Sequence, residues 1–162
     1  MNYVQALWRG VETDRSEGVP PHESSHPYFG RLVHYERFDG AAHWEATLSH
    51  PGTGARFTLV MPGDRDTPIQ PFANFHRAHF GHPDAFLRRC ADELRSAFER
   101  HTGRALTESY RGTFELQILT LPAAADPRGV WSASFYAAVI DAYFEVRFVG
   151  DRPQVCRALD VA

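Results

Sequence analysis

The sequence predicts an α+β fold in which an antiparallel β-sheet packs against one long amphipathic helix. Strand-like runs occupy residues from about 29–61 and about 113–159, and a helical period occupies about 83–102. Because strands and helix are grouped along the chain rather than alternating, an antiparallel sheet is favoured. A length of 162 residues with 43% hydrophobic content suits a single domain over 1–162.

The first half of the chain reads as strands separated by turns. A short strand is expected at about 2–8, followed by a loop-rich segment over 10–27 that holds Gly, Pro, Ser and charged residues. Three β-rich runs then continue to residue 61, and their separation by turn residues is typical of an antiparallel meander. The segment 63–71, with two prolines, is expected to be an exposed connection.

The helix over 83–102 is the clearest element of the sequence. Pro83 fits the first helical position, and Gly103 fits a left-handed cap after the last turn. The apolar residues recur every three or four positions on one stripe: Phe86, Leu87, Cys90, Leu94 and Phe98.

The second half returns to strands. Between residues 143 and 149, Phe144, Val146 and Phe148 alternate with Glu145 and Arg147. This alternation predicts a strand with one covered face. A turn at 150–153 then leads into a final short strand near 154–159.

Composition excludes several function classes. All 17 basic residues are arginine, so the chain has no Schiff-base or phosphate-binding lysine, and no nucleotide-binding glycine motif or other cofactor signature occurs. The net charge of −3 does not favour nucleic acid. No signal peptide or membrane span is expected, and two distant cysteines fit a reduced cytoplasmic setting.

The segment His22-Glu23-Ser24-Ser25-His26 matches H-E-x-x-H, in which two imidazoles bind zinc and the glutamate acts as general base. That chemistry requires a helix, because residues i and i+4 must lie on one helical face to reach one metal. Pro27 follows directly and opposes a helix, so a chance match in a loop is the favoured interpretation. We assign no catalytic residue and no metal ligand from the sequence.

Two exposed segments are candidates for binding a partner. One is the acidic loop Asp64-Arg65-Asp66, and the other is the histidine- and phenylalanine-rich stretch carrying His76, His79 and His82. Loops on a rigid scaffold commonly carry recognition, and His and Phe suit contacts by stacking and hydrogen bonding. A nucleophilic site is not favoured, since no G-x-S-x-G occurs, Cys90 is expected to be buried, and the more exposed Cys156 has no nearby histidine.

Short apolar motifs resemble a group of small bacterial domains. They are Pro27-Tyr28-Phe29-Gly30-Arg31-Leu32, Trp44-Glu45, a Leu-Val-Met strand before an acidic loop, the helix, and Tyr143-Phe144-Glu145-Val146. Over about 27–160 the chain resembles uncharacterised α+β domains similar to immunity proteins of polymorphic-toxin systems. The resemblance implies a cytoplasmic, non-enzymatic protein that neutralises a cognate toxin by binding it, and it implies no particular functional residue.

We therefore expect a binding protein of the immunity type, with a toxin or effector as protein partner. One alternative is a zinc-dependent hydrolase that uses His22, Glu23 and His26. Another is a structural or regulatory subunit that pairs through an exposed edge strand. The sequence leaves the oligomeric state and the identity of the partner open.

Overall fold

The computed structural model describes residues 20–36 and 40–159. Eight strands in this part of the chain form one sheet whose spatial order follows the chain. They are β1 (His22–His26), β2 (Gly30–Glu36), β3 (Ala42–Ser49), β4 (Arg56–Pro62), β5 (Glu115–Thr120), β6 (Val130–Ala137), β7 (Ala142–Val149) and β8 (Arg152–Leu159). Between β4 and β5 lie α1 (Gln70–Phe80), α2 (Pro83–Thr102) and α3 (Tyr110–Thr113). The strand expected at 2–8 and the loop up to residue 19 fall outside the described residues.

The predicted fold class is wrong, because the sheet is mixed and carries more than one helix. Strands β1–β4 and β5–β8 form two antiparallel meanders, but β4 and β5 pair in parallel, with Leu59 opposite Leu119. A parallel pair needs a long crossover between its strands. Residues 63–114 supply that crossover and contain all three α-helices of the described part of the chain; two short 3-10 helices, Ala123–Ala125 and Ala138–Ile140, lie beyond it.

Helix α1 forms where the sequence predicted the end of an exposed connection and a histidine-rich loop. Pro71 lies in its first turn, where proline is tolerated, and Phe72, Phe75 and Phe80 are buried on its inner side. The prediction treated the neighbouring histidines as polar loop residues. In the structure His76 stacks on Phe80 with ring centroids 5.1 Å apart, so an imidazole takes part in the helix's aromatic face.

Strand β1 forms near the end of the segment 10–27, which was predicted to be a loop. Its sequence has no apolar alternation and its side chains are mostly exposed, so only its pairing with β2 reveals it. His22 lies opposite His34, and His26 lies opposite Gly30 across a tight turn at 27–29. Gly30 has a φ of 75°, which favours glycine at this position.

The core lies between one face of the sheet and the helices. Along β7, Phe144, Val146 and Phe148 are fully buried and point to this inner face. Helix α2 covers β7 and β8 with the stripe that contains Cys90, Leu94 and Phe98. Near its C-terminal end, Arg100 Nη2 donates to the carbonyl of Cys156 at 2.9 Å. None of the helices in the described ranges is long and apolar enough to cross a membrane.

Candidate functional site

The acidic loop 64–66 is exposed but firmly anchored to the sheet. Trp44 Nε1 donates to the carbonyl of Asp64 at 3.0 Å, and His34 Nε2 donates to the carbonyl of Gly63 at 3.1 Å. The Asp64 carboxylate accepts bonds from the Asp66 amide at 3.0 Å and from the Thr67 hydroxyl at 2.9 Å. Asp64 therefore shapes its own turn, and Arg65 and Asp66 are the charged side chains that the loop presents.

The three candidate histidines do not converge on one site. On α1, the His76 ring lies 5.7 Å from the ring of Phe29, whereas His79 stacks on Phe75 at 4.2 Å. The His79 ring also lies 5.7 Å from Trp131, on a different part of the core. His82 is exposed just before α2 and caps that helix with no side-chain hydrogen bond.

His76 is the most unusual ionisable group of the three. Its Nδ1 lies 2.8 Å from the hydroxyl of Tyr28, while its Nε2 is buried and has no hydrogen-bond partner among the described residues. Burial lowers the pKa of His76 to about 4, so its imidazole is neutral at neutral pH. It therefore adds a polar but uncharged group to its surroundings.

The H-E-x-x-H segment has a geometry that differs from the helical zinc motif. Because β1 is extended at about 3.4 Å per residue, its two histidines are separated by about 14 Å along the strand. Glu23 points to the opposite face and forms an ion pair with Arg31, which lowers the pKa of Glu23. Across the described ranges, no group of three or more His, Cys, Asp or Glu is arranged to hold a metal ion.

The two thiols are buried. Cys90 is fully inaccessible on α2, and burial raises its pKa. Cys156, which was expected to be the more exposed, is also buried on β8, and burial raises its pKa to about 12. A thiol in such surroundings is a poor nucleophile, because the reactive species is the thiolate.

A pocket of about 610 Å³ opens at one end of the sheet and was not anticipated from the sequence. Its walls come from the β1–β2 turn, the β3–β4 turn, the start of β5, the end of β6, and the ends of α1, α2 and α3 that face them. These segments meet because successive antiparallel strands begin or end at the same edge of the sheet. Volumes of about 300–1,000 Å³ are typical of small-molecule sites.

Aromatic rings dominate the pocket. Tyr28 and Tyr136 line it together with six phenylalanines: Phe29, Phe57, Phe80, Phe86, Phe114 and Phe135. Of these, Phe135 and Phe86 are buried and pack with rings 6.4 Å apart between α2 and β6. The pocket is thus continuous with the core, and an apolar ligand would complete that packing.

Charged side chains lie near the opening of the pocket. Arg111 on α3 faces Asp84 on α2 across 3.7 Å, and both side chains are more than half exposed. Glu115 at the start of β5 also lines the pocket, and its carboxylate accepts a bond from Gln117 at 3.0 Å. Two polar groups of the wall are less exposed: Thr113 Oγ1 donates to the carbonyl of Ser109 at 2.9 Å, and His76 contacts Tyr28 through Nδ1 while its Nε2 has no partner among the described residues.

Of the six candidate partner-binding residues named from the sequence, His76 alone lines this pocket. The other lining residues come from six or more segments that are distant along the chain, so no spacing rule connects them. The one available signal was the frequency of phenylalanine, with 12 in 162 residues. Comparison with protein-family models, curated proteins and solved structures found no match.

Proposed function

We propose that this chain is a non-enzymatic binding protein whose pocket holds a small, largely apolar ligand. The observation that carries the proposal is the pocket of about 610 Å³ with eight aromatic residues in its wall. A water molecule's share of liquid volume is about 30 Å³, so the pocket has room for about 20 groups of that size. The pocket's size and composition are those of small-molecule sites, where apolar surface supplies affinity and a few polar groups orient the ligand.

The chemistry of the wall supports binding rather than catalysis. His76, neutral and bonded to Tyr28, and Thr113, bonded to a backbone carbonyl, are not activated nucleophiles, and neither cysteine lines the pocket. The wall instead offers ring faces and ring edges. An apolar ligand would bind there by removing surface from water, at about 25 cal/mol per Å² before the costs of association.

The test uses 2-(2-naphthyl)ethanol, a neutral aromatic probe that is smaller than the pocket. Isothermal titration calorimetry is expected to show binding to the full chain. Leu87→Trp enlarges a half-buried residue of α2 that lines the pocket, and it is expected to weaken binding at least about tenfold by occupying the space.

Ser96→Trp is the matched control, because Ser96 is exposed on the same helix and does not line the pocket. This variant is expected to bind the probe like the unmodified chain. Absence of binding by the unmodified chain would refute the proposal, and so would equal loss in both tryptophan variants.

We also propose a second candidate function, an immunity-type protein that binds a toxin in the cytoplasm. It is supported by the acidic loop, which Trp44 and His34 hold in a fixed position while Arg65 and Asp66 remain exposed. A preorganised loop loses less conformational entropy when it binds a partner. The net charge of −3 for the whole chain favours a basic surface on that partner.

Co-expression with the product of the adjacent gene, followed by pull-down and a growth-rescue assay, tests this function. Asp66→Lys is expected to abolish both complex formation and rescue. Asp92→Lys, which reverses the charge of an exposed residue on α2, is expected to leave both intact. Lack of rescue by the unmodified chain, or equal effects of the two reversals, would contradict this candidate.

A further inference from the structure

Resting on the proposed pocket, we infer that its ligand is an amphipathic organic cation, with an apolar body of up to about 20 groups the size of a water molecule and an ammonium group near the opening. Three features of the same pocket favour such a ligand: the charge of its lining residues, the ion pair that already engages Arg111, and the aromatic character of its wall.

The formal charge of the side chains that line the pocket is negative. With the lining histidines His50 and His76 counted as neutral, Asp84 and Glu115 each contribute −1 and Arg111 contributes +1, so the sum over the lining residues is −1. His76 does not alter this balance, because it is neutral at neutral pH. A ligand with one positive charge would neutralise the site, whereas an anion would double its imbalance.

Arg111 is already engaged with a carboxylate. Its Nη2 lies 3.7 Å from Asp84 Oδ2, so a ligand carboxylate would have to compete with Asp84 for the guanidinium. Glu115, in contrast, has no cationic partner within 4.0 Å in the part of the chain that the structure describes, and accepts only the neutral amide of Gln117. The carboxylate of Glu115 is therefore the charged group that a ligand could pair with, and it favours a cation.

The aromatic wall favours a cation for an independent reason. The face of a phenyl or phenol ring carries partial negative charge and attracts ammonium groups, which is the basis of aromatic cages for organic cations. The protein already uses this interaction at two rings of the wall: Arg77 Cζ lies 4.8 Å from the centre of the Tyr28 ring, and Arg89 Cζ lies 5.8 Å from that of Phe86, although neither arginine lines the pocket. The other rings of the wall remain for the apolar body and the charged end of a ligand.

Three probes that share the naphthylethyl body separate charge from apolarity: 2-(2-naphthyl)ethylamine, 2-(2-naphthyl)ethanol and 3-(2-naphthyl)propanoate. Calorimetry on the full chain at neutral pH and low salt is expected to rank them amine, alcohol, carboxylate. The amine is expected to bind at least about tenfold more tightly than the carboxylate, a preference that added salt reduces.

Two substitutions test whether the carboxylates that line the pocket cause the preference for the amine. Asp84→Asn and Glu115→Gln are each expected to weaken binding of the amine about three- to tenfold and to leave binding of the alcohol unchanged. Asp92→Asn removes one negative charge from an exposed part of α2 outside the pocket, and it is expected to change neither.

The possible results distinguish this inference from the proposed function. If the alcohol binds but the amine binds no better than the carboxylate, the cation inference is overturned and the apolar pocket stands. Equal effects of Asp84→Asn, Glu115→Gln and Asp92→Asn would also overturn it, because the preference would then be a general effect of net charge. If none of the three probes binds, the proposed pocket function fails as well.

Discussion

The hydroxyl of Tyr28 lies 2.8 Å from Nδ1 of His76 and connects the β1–β2 turn to helix α1. The guanidinium of Arg77 also lies over the tyrosine ring, with Cζ 4.8 Å from its centre. Phe29, next to Tyr28, is thereby held against α1 and is buried. One wall of the pocket thus depends on a neutral histidine. Protonation of His76 is therefore expected to weaken this wall.

Acidification is expected to destabilise the protein through His76. Its pKa is about 4 in the folded chain, below the ordinary value of 6.5, so the unfolded chain binds the proton more readily. The stabilisation from the neutral imidazole is complete above pH 6.5 and is lost as the pH falls towards 4. Burial lowers the pKa of His34 and His79 in the same direction.

Denaturant unfolding measured between pH 7 and 4 checks this contribution. His76→Phe keeps the aromatic contact and removes the titrating group. The stability of this variant is therefore expected to fall less steeply with decreasing pH than that of the unmodified chain. The two slopes are expected to differ by up to about 1.4 kcal/mol per pH unit. His82→Gln, at an exposed histidine, serves as the control and is expected to follow the unmodified chain. Parallel pH profiles for the unmodified chain and His76→Phe would contradict the assignment.

Gly63, which immediately precedes the acidic loop, is expected not to tolerate a side chain. Its φ is 150°, and a Cβ added there would lie 2.3 Å from the hydroxyl oxygen of Thr67. Gly63→Ala is therefore expected to cost about 1–3 kcal/mol of unfolding free energy and to disturb the loop that Asp64 shapes.

Gly112 provides the comparison, because its φ is not positive and an added Cβ meets nothing within 4 Å. Gly112→Ala is expected to change the free energy of unfolding by less than about 0.5 kcal/mol. Denaturant titration of both variants measures the difference. Equal stability of the two variants would show that the turn at Gly63 can adjust to a side chain.

The sequence revealed the elements whose signals are local, and it missed those that depend on distant contacts. Pro83 and Gly103 frame α2 in the sequence as they do in the structure, since a helix start and a left-handed cap depend on neighbouring residues. Helix α1 was missed because His76 and His79 were counted as polar. In the fold, both imidazoles stack on phenylalanines.

Strand β1 and the parallel β4–β5 pair were missed for a different reason. β1 has little apolar pattern of its own, and its register is set by β2, as the pairing of His22 with His34 shows. The pairing of Leu59 with Leu119 joins residues separated by the whole helical crossover. The pocket was missed for the same reason, because its rings lie on distant segments that meet through the packing of the two meanders against the helices.

Zinc binding at the H-E-x-x-H segment can be tested directly. With His22 and His26 on an extended strand and Glu23 paired with Arg31, the segment is expected not to hold zinc tightly. Purified protein should show the same zinc content, by elemental mass spectrometry, before and after His22→Ala or His26→Ala. Stoichiometric zinc that either substitution removes would contradict the strand geometry and support a hydrolase.

The stack of Trp131 on Phe148 is expected to be a main source of stability between β6 and β7. The two rings are nearly parallel at 3.9 Å, and Trp131 Nε1 donates to the carbonyl of Gly150 at 2.6 Å. Trp131→Phe keeps one ring in the stack but removes this hydrogen bond and leaves a small cavity. It is expected to cost about 1–3 kcal/mol, and Trp131→Ala about 3–5 kcal/mol.

Trp44→Phe is the matched control, because it also removes an indole bond to a backbone carbonyl, that of Asp64. If the hydrogen bond alone mattered, both phenylalanine variants would lose similar stability in denaturant titration. We expect Trp131→Phe to lose more, because Trp131 packs between Phe148 at 3.9 Å and Phe86 of the pocket at 6.1 Å, whereas Trp44 packs against His34 at 4.8 Å and the exposed His22 at 6.0 Å. It should therefore also weaken binding of 2-(2-naphthyl)ethanol, and unchanged affinity would show that the pocket is insulated from this stack.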